Sequence, residues 1–173
     1  MATFLKVLVT EEGLSTYALS MLASFECCEL RLFGLTNIPL LFAVSPKVVE
    51  LTDERLAVKI PLNYITRNHL GSMYFGVLAM GADCACGLLA MHHIQASGKK
   101  VSLIFKDFKA ELTKRAEEDV IFVCEEGAEL KALVQKAIET GERHHQTIAA
   151  QALSSSTQEV VAQFQLTISL KRR

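Results

Sequence analysis

The sequence predicts an α+β fold, with an antiparallel sheet curved around one long central helix. Three observations lead there. Residues 73–94 form a mostly apolar run with a single carboxylate, Asp83, near its middle. Residues 159–171 alternate without a break, with Val160, Ala162, Phe164, Leu166, Ile168 and Leu170 on one side and Gln163, Gln165, Thr167 and Ser169 on the other. Period two marks a strand with one buried and one wetter face. Six segments of strand character flank the apolar run, and a helix apolar on most sides needs a sheet to cover it.

The elements follow in order. Leu14, Ala18, Met21, Leu22, Phe25 and Leu32 recur at three- and four-residue steps, which predicts an N-terminal helix over 13–35. Asn37-Ile38-Pro39 breaks it. Leu40 to Pro61 is expected to be a β-hairpin, with Val44, Val48 and Val49 leading in, Thr52-Asp53-Glu54 as the turn, and Leu56, Val58 and Ile60 alternating on the return. The central helix is expected over 73–95. After Ser97-Gly98-Lys99 the period returns to two at Val101, Leu103 and Phe105, and the strand continues bent through Leu112. Val120 to Cys124 is a short strand. Residues 128–140 read as a helix, with Leu130, Leu133, Val134 and Ala137 on one face and Gly141 as its stop. Strands near 144–153 and 159–171 complete the chain. There is no internal repeat or low-complexity linker, so residues 1–173 read as one domain.

Composition bounds the function. Half of the 173 residues are hydrophobic and 21% are charged, which is globular rather than disordered. The net charge is −1, so bulk attraction to nucleic acid is not expected, and Lys171, Arg172 and Arg173 read as a solvated strand end. The five cysteines (Cys27, Cys28, Cys84, Cys86, Cys124) are odd in number, without CxxC spacing or a secretory signal. That pattern fits a reducing compartment, the cytoplasm, and argues against a structural zinc site.

The central run is long enough to span a bilayer. Asp83 at the middle of a span would cost roughly 2.5–3.5 kcal/mol, and the rest of the chain alternates like a soluble sheet protein, so a buried core helix is expected. Gly76, Ala79, Ala82, Gly87 and Ala90 would let strands approach it closely. Each helical glycine costs about 1 kcal/mol relative to alanine, so Gly76, Gly81 and Gly87 need a packing or functional purpose. Asp83 is either hydrogen-bonded to a neighbouring strand or subunit, or it is a general base or nucleophile with its pKa set by apolar surroundings. The helix-start N–H groups of Phe75 and Gly76 would have no intrahelical acceptor and would sit at the positive dipole end. Ser72 reads as a plain N-cap.

The spacing Asn68-x-x-Gly71-x-x-Tyr74-x-Gly76, with Asp83 seven residues on, resembles the signature of hotdog-fold acyl-CoA thioesterases of the phenylacetate type. The run Thr66-Arg67-Asn68-His69-Leu70-Gly71-Ser72-Met73-Tyr74, after a hairpin ending in Pro61, is similar to the related DUF4442 type. The resemblance spans roughly residues 13–170. It implies a hotdog fold and two subunits that pair to build active sites at their interface. It also implies a carboxylate on the central helix (Asp83) that activates water or attacks a thioester carbonyl, a backbone N–H of Phe75 or Gly76 that polarises that carbonyl, and an asparagine (Asn68) that positions water or substrate. His69, Gly71 and Tyr74 would line the substrate. Tyr74 stands where the phenylacetate-type motif has His, and Phe75 where it has its first Gly, which narrows the approach. Ser102 is the one candidate for a polar strand residue after the helix.

Other polar residues carry blander expectations. His92 and His93 read as solvated imidazoles at a helix C-terminus, and His144-His145 as surface. Cys84 and Cys86 read as buried small hydrophobes. Lys99, Lys100, Lys106 and Lys109 form either a solvated face or a seat for the phosphates of coenzyme A. No G-x-x-x-x-G-K-[ST] loop supports nucleotide hydrolysis. The expected activity is hydrolysis of an acyl-CoA or other acyl thioester by a homodimer or tetramer, with no metal and no cofactor beyond the coenzyme A of the substrate. The alternatives are a module that binds acyl-CoA without turnover and a scaffold whose interface is its product.

Overall fold

A computed structural model describes residues 38–173. The helix expected over 13–35 and the cysteines Cys27 and Cys28 lie outside the described residues. The elements are α1 (Pro39–Val44), β1 (Lys47–Leu51), β2 (Leu56–Ile60), α2 (Phe75–Ala96), β3 (Val101–Leu112), β4 (Val120–Cys124), α3 (Gly127–Thr140), β5 (His144–Ser154) and β6 (Val160–Arg172). One six-stranded sheet has the order β1-β2-β4-β5-β6-β3, with every pair antiparallel. It curves around α2, which packs on β2, β4 and β5.

The hairpin is shorter than expected. Residues 39–44 form a helix rather than the lead of a strand. Pro39 sits in its first turn, where proline's fixed φ suits a helix start, and Leu41 and Val44, three apart, bury the same side. Ser45 ends it in the left-handed region, at φ 51°. The turn between β1 and β2 closes on Thr52, whose N–H donates to Arg55 O at 2.8 Å and whose Oγ1 accepts from Arg55 N at 2.9 Å.

Where the period-two pattern was clean, strand and burial follow it. In β5, Ile148, Ala150 and Ala152 are buried while Ala149 and Gln151 are exposed. In β6, Phe164, Leu166, Ile168 and Leu170 are buried. Ser169 is an exception on the polar side, buried beneath Arg143, whose Nη1 donates to its Oγ at 2.9 Å. Phe122, Leu56, Ile60, Leu89 and Leu130 join these residues in one continuous core. Burying each such side chain contributes about 1.5–3 kcal/mol.

β3 bends at a bulge. Its pairing with β6 shifts between Phe105↔Ile168 and Asp107↔Thr167, leaving Lys106 as the extra residue. The shift reverses the parity of the strand. Phe105 pairs with buried Ile168 before the bulge, and Phe108 and Ala110 pair with buried Leu166 and Phe164 after it. Leu103, Phe105, Phe108, Ala110 and Leu112 therefore share one side of the strand across the bulge, while Ile104, opposite Ser169, lies on the other. β3 is also a sheet edge, and it is exposed from Ile104 to Leu112.

α2 is long and apolar enough to cross a membrane by length and composition. Its position under the sheet, with Val77, Leu78, Ala82, Ala85, Leu89 and Ala90 buried, makes it the core helix. Gly81 is the point of closest approach: a Cβ there would stand 2.4 Å from the ring of Phe122.

Candidate active site

The segment from Pro61 to Tyr74 is a chain of side-chain-closed turns. Asn63 Oδ1 accepts from Ile65 N at 2.8 Å and from Thr66 N at 3.2 Å, and buried Thr66 donates its Oγ1 to Pro61 O at 2.7 Å. Asn68 builds the next turn. Its Oδ1 accepts from Leu70 N at 2.9 Å and Ser72 N at 3.2 Å, its Nδ2 donates to Ser72 Oγ at 3.0 Å, and its own N–H donates to Ser72 O at 2.8 Å. Gly71 closes the loop at φ +82°, a conformation open to glycine at little cost. The Asn68-x-x-Gly71 spacing is thus a local folding device: an Asx-type turn closed by a left-handed glycine. Ser72 is spent inside it and is not the helix cap. Tyr74 holds the N-cap position, with no side-chain cap bond, and its N–H donates to Thr66 O at 2.8 Å.

The helix start is as the sequence suggests. Val77 and Leu78 both donate to Tyr74 O, while the N–H groups of Phe75 and Gly76 have no acceptor among the described residues. They lie at the positive end of a 22-residue helix, where an oxyanion is favoured. The two aromatics frame them. Tyr74 and Phe75 meet edge to face with centroids 4.9 Å apart, and the Tyr74 ring lies against Gly76.

Asp83 is on the uncovered side of α2. It remains exposed while Ala82, Cys84, Ala85 and Cys86 around it are buried. Among the described residues no cation or hydrogen-bond donor meets its carboxylate. Its neighbours are Gly87, where a Cβ would stand 3.7 Å from Asp83 Oδ1, and the Phe105 ring of β3, 3.4 Å from the same point. Partial desolvation by these apolar surroundings pushes the carboxyl up from its ordinary range. Such a carboxylate is a better base at neutral pH than a fully solvated one.

The expected residues thus fall in two places. Asn68, His69 and Gly71 line an open hollow together with Tyr64 and Arg67. Tyr74, Phe75 and Gly76 form the helix start beside it. Asp83 is eight residues further along α2, about 12 Å at 1.5 Å per residue, and the protomer does not bring it to Asn68 or to the free N–H groups.

Several other expectations change. His92 and His93 are not both solvated: His93 is buried, and its Nε2–H donates to Asp53 O at 2.9 Å, while His92 Nε2 meets Asp53 Oδ1 at 3.0 Å. Asp53 lies in the β1–β2 turn and also meets Lys131 Nζ at 3.3 Å. Desolvation, followed by the neighbouring His92, lowers the pKa of His93, so this imidazole is kept neutral. Among the described residues no group of three His, Cys, Asp or Glu is placed to hold a metal ion. Ser102 donates to Lys171 O at 3.2 Å and serves the end of the sheet. Lys99 to Lys109 spread over roughly 30 Å of extended chain, too far to form one phosphate seat.

His145 is exposed and His144 half-buried, its Nε2 2.7 Å from Thr140 Oγ1. Cys84 and Cys86 are buried, as their apolar setting suggested. Burial, and then the nearby Asp83 charge, pushes the Cys84 thiol far up, while a hydrogen bond to Cys124, with burial, does the same for Cys86. Neither is a nucleophile. Tyr64 and Arg67 are the site residues that sequence reasoning missed. Their signal was an arginine inside the motif turn, three residues from a tyrosine.

Comparison with known proteins bears on the fold and the family. The family described as domain of unknown function DUF4442 matches residues 30–170. No curated protein matches the chain. Among solved structures, a Pseudomonas aeruginosa protein described as a probable thioesterase superposes with a TM-score of 0.71 at 20% identity, over 84% of this chain and 95% of that one. A Chlorobaculum tepidum protein of unknown function gives 0.75 at 12% identity, over 87% and 97%. A Haemophilus influenzae thioesterase gives 0.60 at 11% identity, over 94% of each. These likenesses show the fold: the sheet wrapped on α2 is the hotdog arrangement of the thioesterase-like proteins. With the family match covering the hairpin, the motif turn, the central helix, five strands and all but the last two residues of the sixth, the chain belongs to the DUF4442 family.

Proposed function

We propose that the protein hydrolyses an acyl thioester, acyl-CoA being the expected form, with Asp83 as the general base. The observation that carries this reading is Asp83 itself. Among the described residues it is a carboxylate without a partner and with a raised pKa, on the open face of a helix whose own N-terminus offers two N–H groups without an acceptor. The roughly 12 Å between them along one helix is too long for a single carbonyl to touch both. The reading therefore takes two protomers with antiparallel α2 helices, so that each Asp83 faces the partner's helix start. Gly76, Ala79 and Gly87, small residues on the half-open side, would let the helices come close. The uncovered β3 edge supports the same pairing.

In the reaction, Asp83 takes a proton from water as the water oxygen bonds to the thioester carbon. The N–H groups of Phe75 and Gly76 hold the resulting oxyanion. The carbon–sulfur bond then breaks, the thiolate recovers the proton from Asp83, and a carboxylic acid and a thiol leave. Asp83→Asn is expected to lower kcat for a panel of acyl-CoAs by about 10²–10⁴-fold, with the oligomeric state kept and the fold at least as stable as the native one. Full activity in the variant would overturn the assignment.

A second reading is favoured by the turn and the aromatics. Asn68 is fully engaged in its own loop, and the Tyr74 ring lies against Gly76. A protein built this way would hold an acyl thioester without turnover. Saturable acyl-CoA binding with no thiol release across short, medium and long chains would select it.

A further inference from the structure

The hollow beside the helix start holds two side chains that the reaction above does not use. Arg67 lies with its guanidinium carbon 5.5 Å from the centroid of the Tyr64 ring. Tyr64 is 84% exposed, so the rest of its ring stands open to solvent. Both line the same hollow with Asn68 and His69.

Among the described residues Arg67 has no carboxylate partner, whereas several cations packed along the hairpin and the strand ends do. Arg55 pairs with Glu50 and Glu125, Lys59 with Asp119, Lys114 with Glu159, and Lys131 with Asp53. The backbone of Arg67 is fixed. Its N–H donates to Asn63 O at 3.0 Å, and it bridges to Met73, whose own N–H donates to Ala116 O at 2.8 Å. An unpaired guanidinium on a rigid turn, stacked beside an open aromatic face, has two complementary features. The planar fork suits a phosphate, and the ring suits a flat base. The unbonded N–H groups at the helix start add positive potential nearby.

We propose that this hollow receives the nucleotide end of the thioester's carrier, with a phosphate on Arg67 and the base against Tyr64. The identity of the ligand as a carrier rests on the thioesterase reading; the binding of a nucleotide phosphate does not. The site selects acyl groups carried on a nucleotide-bearing thiol over the same acyl groups on a short thiol. It replaces the β3 lysines as the seat for the carrier's charge.

The test is binding of coenzyme A, adenosine 3′,5′-bisphosphate and pantetheine to the full chain by calorimetry, for the native protein, Arg67→Gln and Tyr64→Leu. Both positions are exposed, and unchanged melting temperatures verify that each variant is folded. The bisphosphate and coenzyme A are expected to bind the native chain. Arg67→Gln should weaken both by about tenfold or more, and Tyr64→Leu by about tenfold, while pantetheine is affected by neither. In turnover assays Arg67→Gln should raise KM for an acyl-CoA and leave kcat unchanged, with no effect on an S-acyl-N-acetylcysteamine.

Failure of the native chain to bind the bisphosphate overturns the proposal. So does equal binding by Arg67→Gln, or a preference for a phosphopantetheinylated protein with no nucleotide affinity. Nucleotide binding that depends on Arg67, with no hydrolysis of any thioester, would instead overturn the catalytic reading and leave this one standing.

Discussion

At the scale of single residues, the proposed role of Asp83 and its effect on stability pull in opposite directions. Its folded-state pKa is raised, so the native state binds the proton more tightly than the unfolded chain. Its contribution is fully present below the unfolded value, about 3.9, and is lost as pH rises through the folded value. At neutral pH the charged form therefore weighs against the fold. Asp83→Asn is expected to raise the melting temperature at pH 7.5, with the gain shrinking toward zero near pH 3.5. A flat difference across that range, measured by thermal scans, would deny the desolvation. Two glycines act by contact instead. A Cβ on Gly127 would stand 2.1 Å from Asp53 O and 2.5 Å from Glu54 Cα, and backbone cannot move aside cheaply. Gly127→Ala should cost about 3 kcal/mol, the upper end for overpacking, in urea unfolding. Gly76→Ala meets only the exposed, swinging ring of Tyr74 and should cost less than half of that.

At the scale of elements, the β1–β2 turn is fastened to the end of α2 and the start of α3. Asp53 O accepts from buried His93, its carboxylate meets His92 and Lys131, and Glu54 O accepts from Gly127 N at 3.0 Å. The pKa of His93 is lowered, so here the unfolded chain binds the proton more readily. Stability from this contact is present above the unfolded value, about 6.5, and is lost as pH falls through the folded value. The Asp53 carboxylate, its pKa lowered first by the hydrogen bond from His92, stays ionised through that window. His93→Gln keeps a donor and removes the titration, so its melting temperature should fall less than the native protein's between pH 7.5 and 5.5. Equal slopes would place the pH dependence elsewhere.

How legible each element was depended on the length of its period. β4, β5, β6 and α3 followed their alternating or helical patterns because one side of each packs on a single core. The parity change at Lys106 was readable as a bend. Residues 40–44 were misread because five apolar residues fit a strand or a helix equally, and burial of Leu41 and Val44 against the core decided the matter. Ser72 was misread as a cap because the side chain of Asn68 reaches it first.

At the scale of the whole molecule, one side of the described residues is open. Ile104, Phe105, Phe108 and Leu112 are exposed on an edge strand, and α2 turns Asp83 toward solvent on its uncovered side. An edge this long and apolar invites pairing, and a two-fold interface through it would cover β3 and bring Asp83 toward a second helix start. Leu112→Lys touches little in the protomer, where Leu112 is 52% exposed. Under the proposed pairing and activity it is expected to shift the sedimentation of the protein toward monomer and to reduce thioester hydrolysis with it. An unchanged dimer would move the interface away from β3.

Local pattern along the chain was enough for the strands from residue 47 on, the core helix, the lone carboxylate and the turn before that helix. These depend on period, on glycine and asparagine conformational preference, and on the cost of an isolated charge, all of which are local. Tertiary structure decided the rest. It placed Asp53 on His92 and His93, set Gly127 against the hairpin, laid Arg67 beside an open tyrosine ring, and left Asp83 about two helical turns from the N–H groups it was expected to serve. Those are relations between residues brought together by the curvature of the sheet and the packing of the helices, and no spacing along the chain encodes them.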